Sequence, residues 1–202
     1  MPGLRHHADD GLISDYYRLQ NRKMHAMKES RTNKKGFGKS GRKWAGSVDK
    51  FARTIKAKTI IDYGAGKCTL GERLRSKGYK VTDYDPALKH IDSLPTKPAD
   101  LVTCTDVLEH IESDRLDAVL DTINRLMLKG GFFVICTKPA DKRLPNGSGT
   151  HKIVKSKKWW IDKLSRYWLL TIHRGRGLSR EIVLTAIPTE YPIRTNGVKN
   201  AA

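Results

Sequence analysis

Acidic residues are scarce in this chain of 202: 21 Asp and Glu stand against 39 Lys and Arg, a formal net charge of +18. The shortage is uneven. Residues 1–58 hold 15 basic and 5 acidic side chains, residues 59–150 hold 13 of each, and residues 151–202 hold 11 and 3. A neutral centre thus lies between two basic flanks. A field of that sign attracts polyanions, of which nucleic acid is the commonest in a cell. The plainer alternative is a surface that only keeps the chain soluble. Cysteine is scarce as well. Cys68, Cys104 and Cys136 show no C-x-x-C spacing, so neither a zinc site nor a disulfide framework is indicated, and reduced, mostly buried thiols are expected. Long apolar runs are missing: none approaches the roughly 20 residues of a membrane span. The opening "MPGLRHHADDG" lacks the apolar stretch of a secretory signal. The expectation is a cytoplasmic chain without membrane contact, built on one main core.

What is present is an alternation of helix-like and strand-like segments. Residues 1–13 read as a loose arm. Residues 14–29 start on Ser-Asp and place Tyr17, Leu19, Met24 and Met27 at helical spacing. Residues 30–43 are glycine-rich and basic, a loop. From Trp44, the apolar residues Val48, Phe51, Ala52 and Ile55 recur with helical period, predicting a helix to Lys56. "KTIIDY" reads as a strand, "CTLGERLRSKG" as a helix stopped by Gly78, "YKVTDYD" as a strand stopped by Pro86, and "ADLVTCTDV" as a third strand. Residues 113–129 carry the stripe Leu116, Val119, Leu120, Ile123, Leu126 and Met127; the pattern predicts a helix capped by Ser113 and ended by Gly130-Gly131. "GFFVICT" is a buried strand and "SKKWWIDKLSRY" a helix. "WLLTIHRG" and "SREIVLTAIP" are joined so briefly that they must pair antiparallel. Such alternation predicts an α/β fold, a mostly parallel sheet with helices on both faces.

The chemistry centres on "TIIDYGAGKCTLGERL", residues 59–74. A P-loop needs a glycine five residues before Gly66 and Ser or Thr after Lys67; Ile61 and Cys68 stand there. A dinucleotide turn needs a third glycine where Thr69 stands, which weakens that reading. Gly64 and Gly66 bring bare backbone close to a ligand, and Asp62 at the strand end can accept from an ammonium, which S-adenosylmethionine (SAM) has and a pyrophosphate lacks. Asp85 ends the next strand, where a carboxylate accepts from both hydroxyls of a ribose. That position suits SAM and a dinucleotide equally.

The turn "DYGAGKC" followed by "ADLVTCTDVLEHI" resembles class I SAM-dependent methyltransferases, of the methyltransferase-domain type with a D-x-x-E-H motif found in ubiquinone-pathway O-methyltransferases. The resemblance covers roughly residues 45–190. It implies a Rossmann-like sheet of seven strands, mostly parallel with the last antiparallel, and S-adenosyl-L-methionine as cofactor. The domains expected are a basic N-terminal helical extension and Gly-rich loop (1–44), the methyltransferase domain (45–192) and a disordered tail (193–202). Carried onto this chain, the cofactor-binding positions are Asp62, Gly64, Ala65, Gly66, Tyr84, Asp85, Asp106 and Val107. The segment between Pro86 and Ala99 has room for little more than one turn and a short edge strand, and Asp92 within it is a candidate for the adenine amine.

Asp106, Glu109 and His110 are the candidate catalytic residues, since the end of the fourth strand faces the methyl group in this family. Three readings stay open for them: substrate positioning with His110 or Asp106 as base, a structural turn, or a divalent metal site. No metal is assigned. The alternative would use Asp106, Glu109 and His110 with a later histidine, His151 or His173, as in small-RNA 3′-end 2′-O-methyltransferases. The turn of amino-methyltransferases acting on DNA bases and the Pro-Cys of cytosine-C5 enzymes are absent. The expected function is methyl transfer to an O or N atom of a small molecule or RNA, with possible nucleic-acid contact through the basic flanks. The basic segment 137–160, ending in Trp159 and Trp160, is the expected acceptor side, and "GFGKSGRKW" an expected lid. The alternative is a basic nucleic-acid-binding protein with a vestigial SAM pocket.

Overall fold

The structure, a computed structural model, describes residues 11–26, 40–173 and 180–189. The expected arm before Gly11, most of the Gly-rich loop and the tail at 193–202 lie outside the described residues. Six strands form one sheet: β1 (Thr59–Tyr63), β2 (Lys80–Tyr84), β3 (Ala99–Thr105), β4 (Met127–Cys136), β5 (Trp168–His173) and β6 (Glu181–Pro188). Their order is β2-β1-β3-β4-β6-β5. The first four are mutually parallel, and β6 runs antiparallel to both β4 and β5. The helices are α1 (Asp15–Ala26), α2 (Ala45–Thr54), α3 (Thr69–Arg75), α4 (Leu116–Leu126) and α5 (Lys157–Leu164), with 3-10 turns at Ser40–Trp44 and Leu108–His110.

Strand alternation divides the core into two layers. Ile60, Leu101, Phe132 and Val134 meet Val48 and Ala52 of α2 and Leu70 and Leu74 of α3 on one face. Ile61, Val102, Phe133, Ile135 and Leu184 meet Val119, Leu120 and Ile123 of α4 and Trp160 and Leu164 of α5 on the other. Trp160 is fully buried, with Trp159 packed edge-on at 5.1 Å, so the tryptophan pair anchors α5 on the sheet. A third, small cluster of Ile13, Tyr17, Met24 and Leu144 docks α1.

Two expectations are corrected. Among the described residues the sheet has six strands, not seven, because residues 86–98 close a turn, with Asp85 N–H donating to the Ile91 carbonyl at 3.0 Å, and form no strand; β2 is the edge of that sheet. The helix expected over 113–129 is shorter. Arg115, not Ser113, takes the N-cap position, and β4 already begins at Met127. Gly130 and Gly131 therefore lie inside a strand, paired with Leu101 and Val102 of β3. A Cβ on Gly130 would stand 3.0 Å from the Phe51 ring, and one on Gly131 2.6 Å from Met127 Cε. Gly130 lets α2 approach the sheet, and Gly131 makes room for the Met127 and Phe133 side chains of β4 itself; neither stops a helix.

Candidate functional site

The chain passes from β1 to β2 on one side and returns to β3 on the other, so the carboxyl ends of β1 and β3 diverge, as at the ligand crevice of open α/β sheets. Gly64 (φ +77°) and Gly66 (φ +55°) turn the chain there into α3. The Gly64 and Ala65 N–H groups both donate to the Tyr84 carbonyl (2.8 and 2.9 Å), and Gly66 N–H donates to Asp85 Oδ2 at 3.0 Å. The turn is thereby fixed to the end of β2. A Cβ on Gly64 would come within 2.4 Å of Val107 Cγ2, so that glycine is required by the loop after β3.

A cavity of about 930 Å³ opens over this turn. Asp62, Gly64, Ala65, Gly66, Asp85, Asp106, Val107 and His110 all line it. Tyr84 does not: its side chain is buried in the core, 5.0 Å from the Tyr63 ring, and only its carbonyl serves the turn. Asp92 lies outside the lining and faces Arg22 at 3.7 Å. Of the segment expected as a lid, Ser40–Lys43 line the cavity; residues 36–39 lie outside the described residues.

The acids of the cavity differ in surroundings. Asp62 is 3% exposed and accepts from Thr103 Oγ at 2.8 Å. Burial lifts its carboxyl to about 7, the Thr103 hydrogen bond opposing and Asp83 and Asp85 adding. Asp106 has φ +55°. Burial raises its pKa, while Lys43 at 3.9 Å and a hydrogen bond from Ser40 pull it back.

Glu109 is fully buried behind His110. Its Oε1 accepts from the Cys136 N–H at 2.9 Å, and its Oε2 has no hydrogen-bond partner among the described residues. Burial, then Asp106, lifts its carboxyl to about 8. The Glu109 carbonyl accepts from the Lys152 and Ile153 N–H groups (2.8 and 3.0 Å), which delivers His151 to the site. His110 Nδ1 lies 2.9 Å from the Thr150 carbonyl and His151 Nδ1 2.6 Å from the Lys138 carbonyl. A carbonyl only accepts, so in the neutral rings Nδ1 carries the proton and Nε2 the lone pair. Burial, then His151, pushes His110 down to about 3, so its ring is neutral at physiological pH. Glu109, His110 and His151 each offer a ligand atom within 4.8 Å of the others. Asp106 stands outside that group. His173, on β5, stands outside it as well and lies 2.8 Å from Thr185 Oγ.

The sequence reading missed Gly71. A Cβ there would meet Asp83 Oδ1 at 2.2 Å, so Gly71 lets α3 lie close on β2, the packing duty a third turn glycine would have. Cys68 is at φ +56° with Sγ turned to the Gly66 carbonyl at 3.8 Å, and it does not line the cavity. Burial, then Asp83, pushes its thiol up to about 12. Cys68→Val should cost about 1–2 kcal/mol in urea unfolding because left-handed backbone tolerates a branched Cβ poorly, whereas Cys68→Gly should cost nothing. Equal losses would mean that the thiol contact, not the backbone, matters.

The methyltransferase-domain family matches residues 37–176, and the chain belongs to it. The fold is that of class I SAM-dependent methyltransferases. Among solved structures, the methyltransferase domain of a bacterial CtHen1 is 18% identical, with a TM-score of 0.52 over 71% of this chain and 96% of that one. DhpI in complex with SAH is 12% identical, TM-score 0.57, over 89% and 100%. Magnesium protoporphyrin IX methyltransferase (ChlM) from Synechocystis PCC 6803 with bound SAH is 14% identical, TM-score 0.55, over 84% and 93%. No curated protein matches in sequence. No helix of the described residues is long and apolar enough to cross a membrane.

Proposed function

We propose that this chain transfers the methyl group of SAM to an anionic acceptor, RNA or a small molecule, and that the acceptor atom is a hydroxyl oxygen held at a divalent cation. The observation that carries the reading is the cluster of Glu109, His110 and His151: a buried carboxyl oxygen without a hydrogen bond among the described residues, beside two imidazoles whose Nδ1 atoms are tied to carbonyls. Second-sphere carbonyls of this kind orient histidine ligands. One carboxylate and two imidazoles form a mixed oxygen and nitrogen set that first-row divalent cations accept and that suits Mn²⁺ or Mg²⁺ loosely. A cation there would acidify a bound acceptor hydroxyl and hold it in place.

The sulfonium already activates the methyl group, so the protein's task is alignment and exclusion of water. Gly64 and Gly66 admit the donor's methionine end to bare backbone, Asp62 accepts from its ammonium, and Asp85 accepts from its ribose. Arg42, Lys138 and Lys142 also line the cavity and make no ion pair among the described residues, which favours an anionic acceptor. A nitrogen acceptor would need no cation, and a nucleic-acid-binding protein with a vestigial pocket would need no donor.

With methyl-labelled SAM and fractionated RNA, DNA, protein and metabolites, label is expected in RNA or an anionic metabolite. EDTA should abolish transfer and Mn²⁺ or Mg²⁺ restore it. His151→Ala should lower transfer roughly a hundredfold or more with S-adenosylhomocysteine (SAH) affinity kept. Full activity in EDTA rules out the cation; absence of SAH binding in the parent chain rules out the enzyme.

A further inference from the structure

The inward face of α1 is polar where packing alone would make it apolar. Tyr17, Asn21 and His25 recur at i, i+4 and i+8, so they form one stripe, and all three line the cavity. Tyr17 and Asn21 are buried, 5% and 8% exposed, and His25 is half-buried with its side chain 6% exposed. At ~1.5 Å per residue the stripe runs about 12 Å, long enough to follow an extended nucleoside–amino acid ligand.

Both ends of the helix are tied. Ser14 donates to Glu112 through its N–H and its hydroxyl (2.8 and 2.6 Å), and the Tyr17 hydroxyl donates to the His110 carbonyl at 2.7 Å. Toward the other end, Arg22 Nε donates to the Ala87 carbonyl at 3.1 Å. His110 and Glu112 follow β3, Ala87 follows β2, and β1 lies between those strands. The helix therefore crosses over the carboxyl end of β1, above the Gly64–Gly66 turn. Its His25 Nε2 comes to 3.8 Å from Asp85 Oδ2. Midway, Asn21 Nδ2 donates to the Tyr17 carbonyl at 3.0 Å, while its Oδ1 accepts from no described residue. Buried polar atoms that face a cavity find their partners in what fills it.

We propose that α1 is a wall of the methyl-donor site and that Asn21 and His25 bind the donor, His25 sharing the ribose hydroxyls with Asp85. This rests on the donor reading above. Asp85 Oδ1 already accepts from Ala87 N–H at 2.9 Å and Oδ2 from Gly66 N–H at 3.0 Å, so each oxygen keeps one lone pair for a hydroxyl proton. A carboxylate cannot donate to the hydroxyl oxygen; an imidazole N–H beside it can. The helix thereby adds the donor half of ribose recognition, which β2 does not supply.

Calorimetry of the full chain with SAH and with its 2′,3′-dideoxy analogue tests the assignment as a double-mutant cycle. His25→Ala should weaken SAH about tenfold and leave the dideoxy analogue unchanged, since the contact is already missing. His25→Gln, which keeps a donor, should recover part of the loss. Asn21→Ala should weaken both ligands alike, about tenfold. If His25→Ala weakens both equally, or neither, the ribose contact is refuted. If Asn21→Ala changes neither, α1 is a cover and not a binding wall. If the parent chain binds neither ligand, the donor reading itself falls.

Discussion

A Gly64→Ala protein is expected to fold and to bind SAH at least about a hundredfold more weakly than the parent chain. Two costs arise. The backbone stands at φ +77°, where a Cβ costs about 1–2 kcal/mol. The added methyl would meet Val107 Cγ2 at 2.4 Å and Cγ1 at 2.7 Å. The turn cannot yield, because the Gly64 and Ala65 N–H groups share the Tyr84 carbonyl at the end of β2. Val107 must yield, and it lines the cavity. The backbone strain is present with and without ligand and lowers stability alone; the displacement of Val107 falls on the binding surface, and the ~2.7 kcal/mol of a hundredfold loss is expected from it. Gly147→Ala separates the parts: Gly147 has φ +81°, an added Cβ there would meet nothing within 4 Å, and the residue lies outside the cavity lining. That control should lose about 1–2 kcal/mol in unfolding and no affinity. Calorimetry with circular dichroism reads both. Gly64→Ala binding within about threefold of the parent would mean that the turn is not where the donor lies.

Local patterns were readable in the sequence wherever one segment sufficed. "TIIDYGAG" announced a strand and a glycine turn, and "ADLVTCTDV" a buried strand, because apolar period and glycine chemistry are local. Errors arose where tertiary contact overrides local pattern. Gly130-Gly131 looked like a helix stop, yet Phe51 of α2, far away in sequence, is what crowds Gly130. Gly71 looked like an ordinary helical residue until Asp83 of β2 was found against it. The choice between His151 and His173 was open in sequence, because both follow the D-x-x-E-H motif; in the fold the Glu109 carbonyl holds Lys152 and Ile153, and the His151 ring stands 4.7 Å from that of His110. Residues 14–29 read correctly as a helix over most of their length. Its place at the cavity was illegible, since Asn21 and His25 count as surface polar residues until the cavity beside them is known.

Asp62 should make donor affinity fall as pH drops, while the free protein gains stability over the same range. Burial lifts the Asp62 carboxyl from the ordinary range to about 7. In an unfolded chain an Asp titrates near 3.9. Between those values the folded protein holds a proton that the unfolded one has released. The stabilisation this gives is complete below about pH 4 and is lost as pH rises through about 7. The donor's ammonium acts in the opposite direction, since it is held by the carboxylate form. Below about pH 7, binding must first expel the Asp62 proton, at ~1.4 kcal/mol or tenfold per pH unit. SAH affinity at pH 5.5 should therefore be roughly thirtyfold weaker than at pH 8. Calorimetry in buffers of different ionisation heat should count close to one proton released near pH 6. Asp62→Asn should bind weakly at pH 8 and show no slope below it. Asp85 and His25 face each other across the same cavity and Asp106 lies along it, so the slope must be assigned. Its survival in His25→Ala and its loss in Asp62→Asn place it on Asp62; a flat profile in the parent chain means the ammonium is held elsewhere.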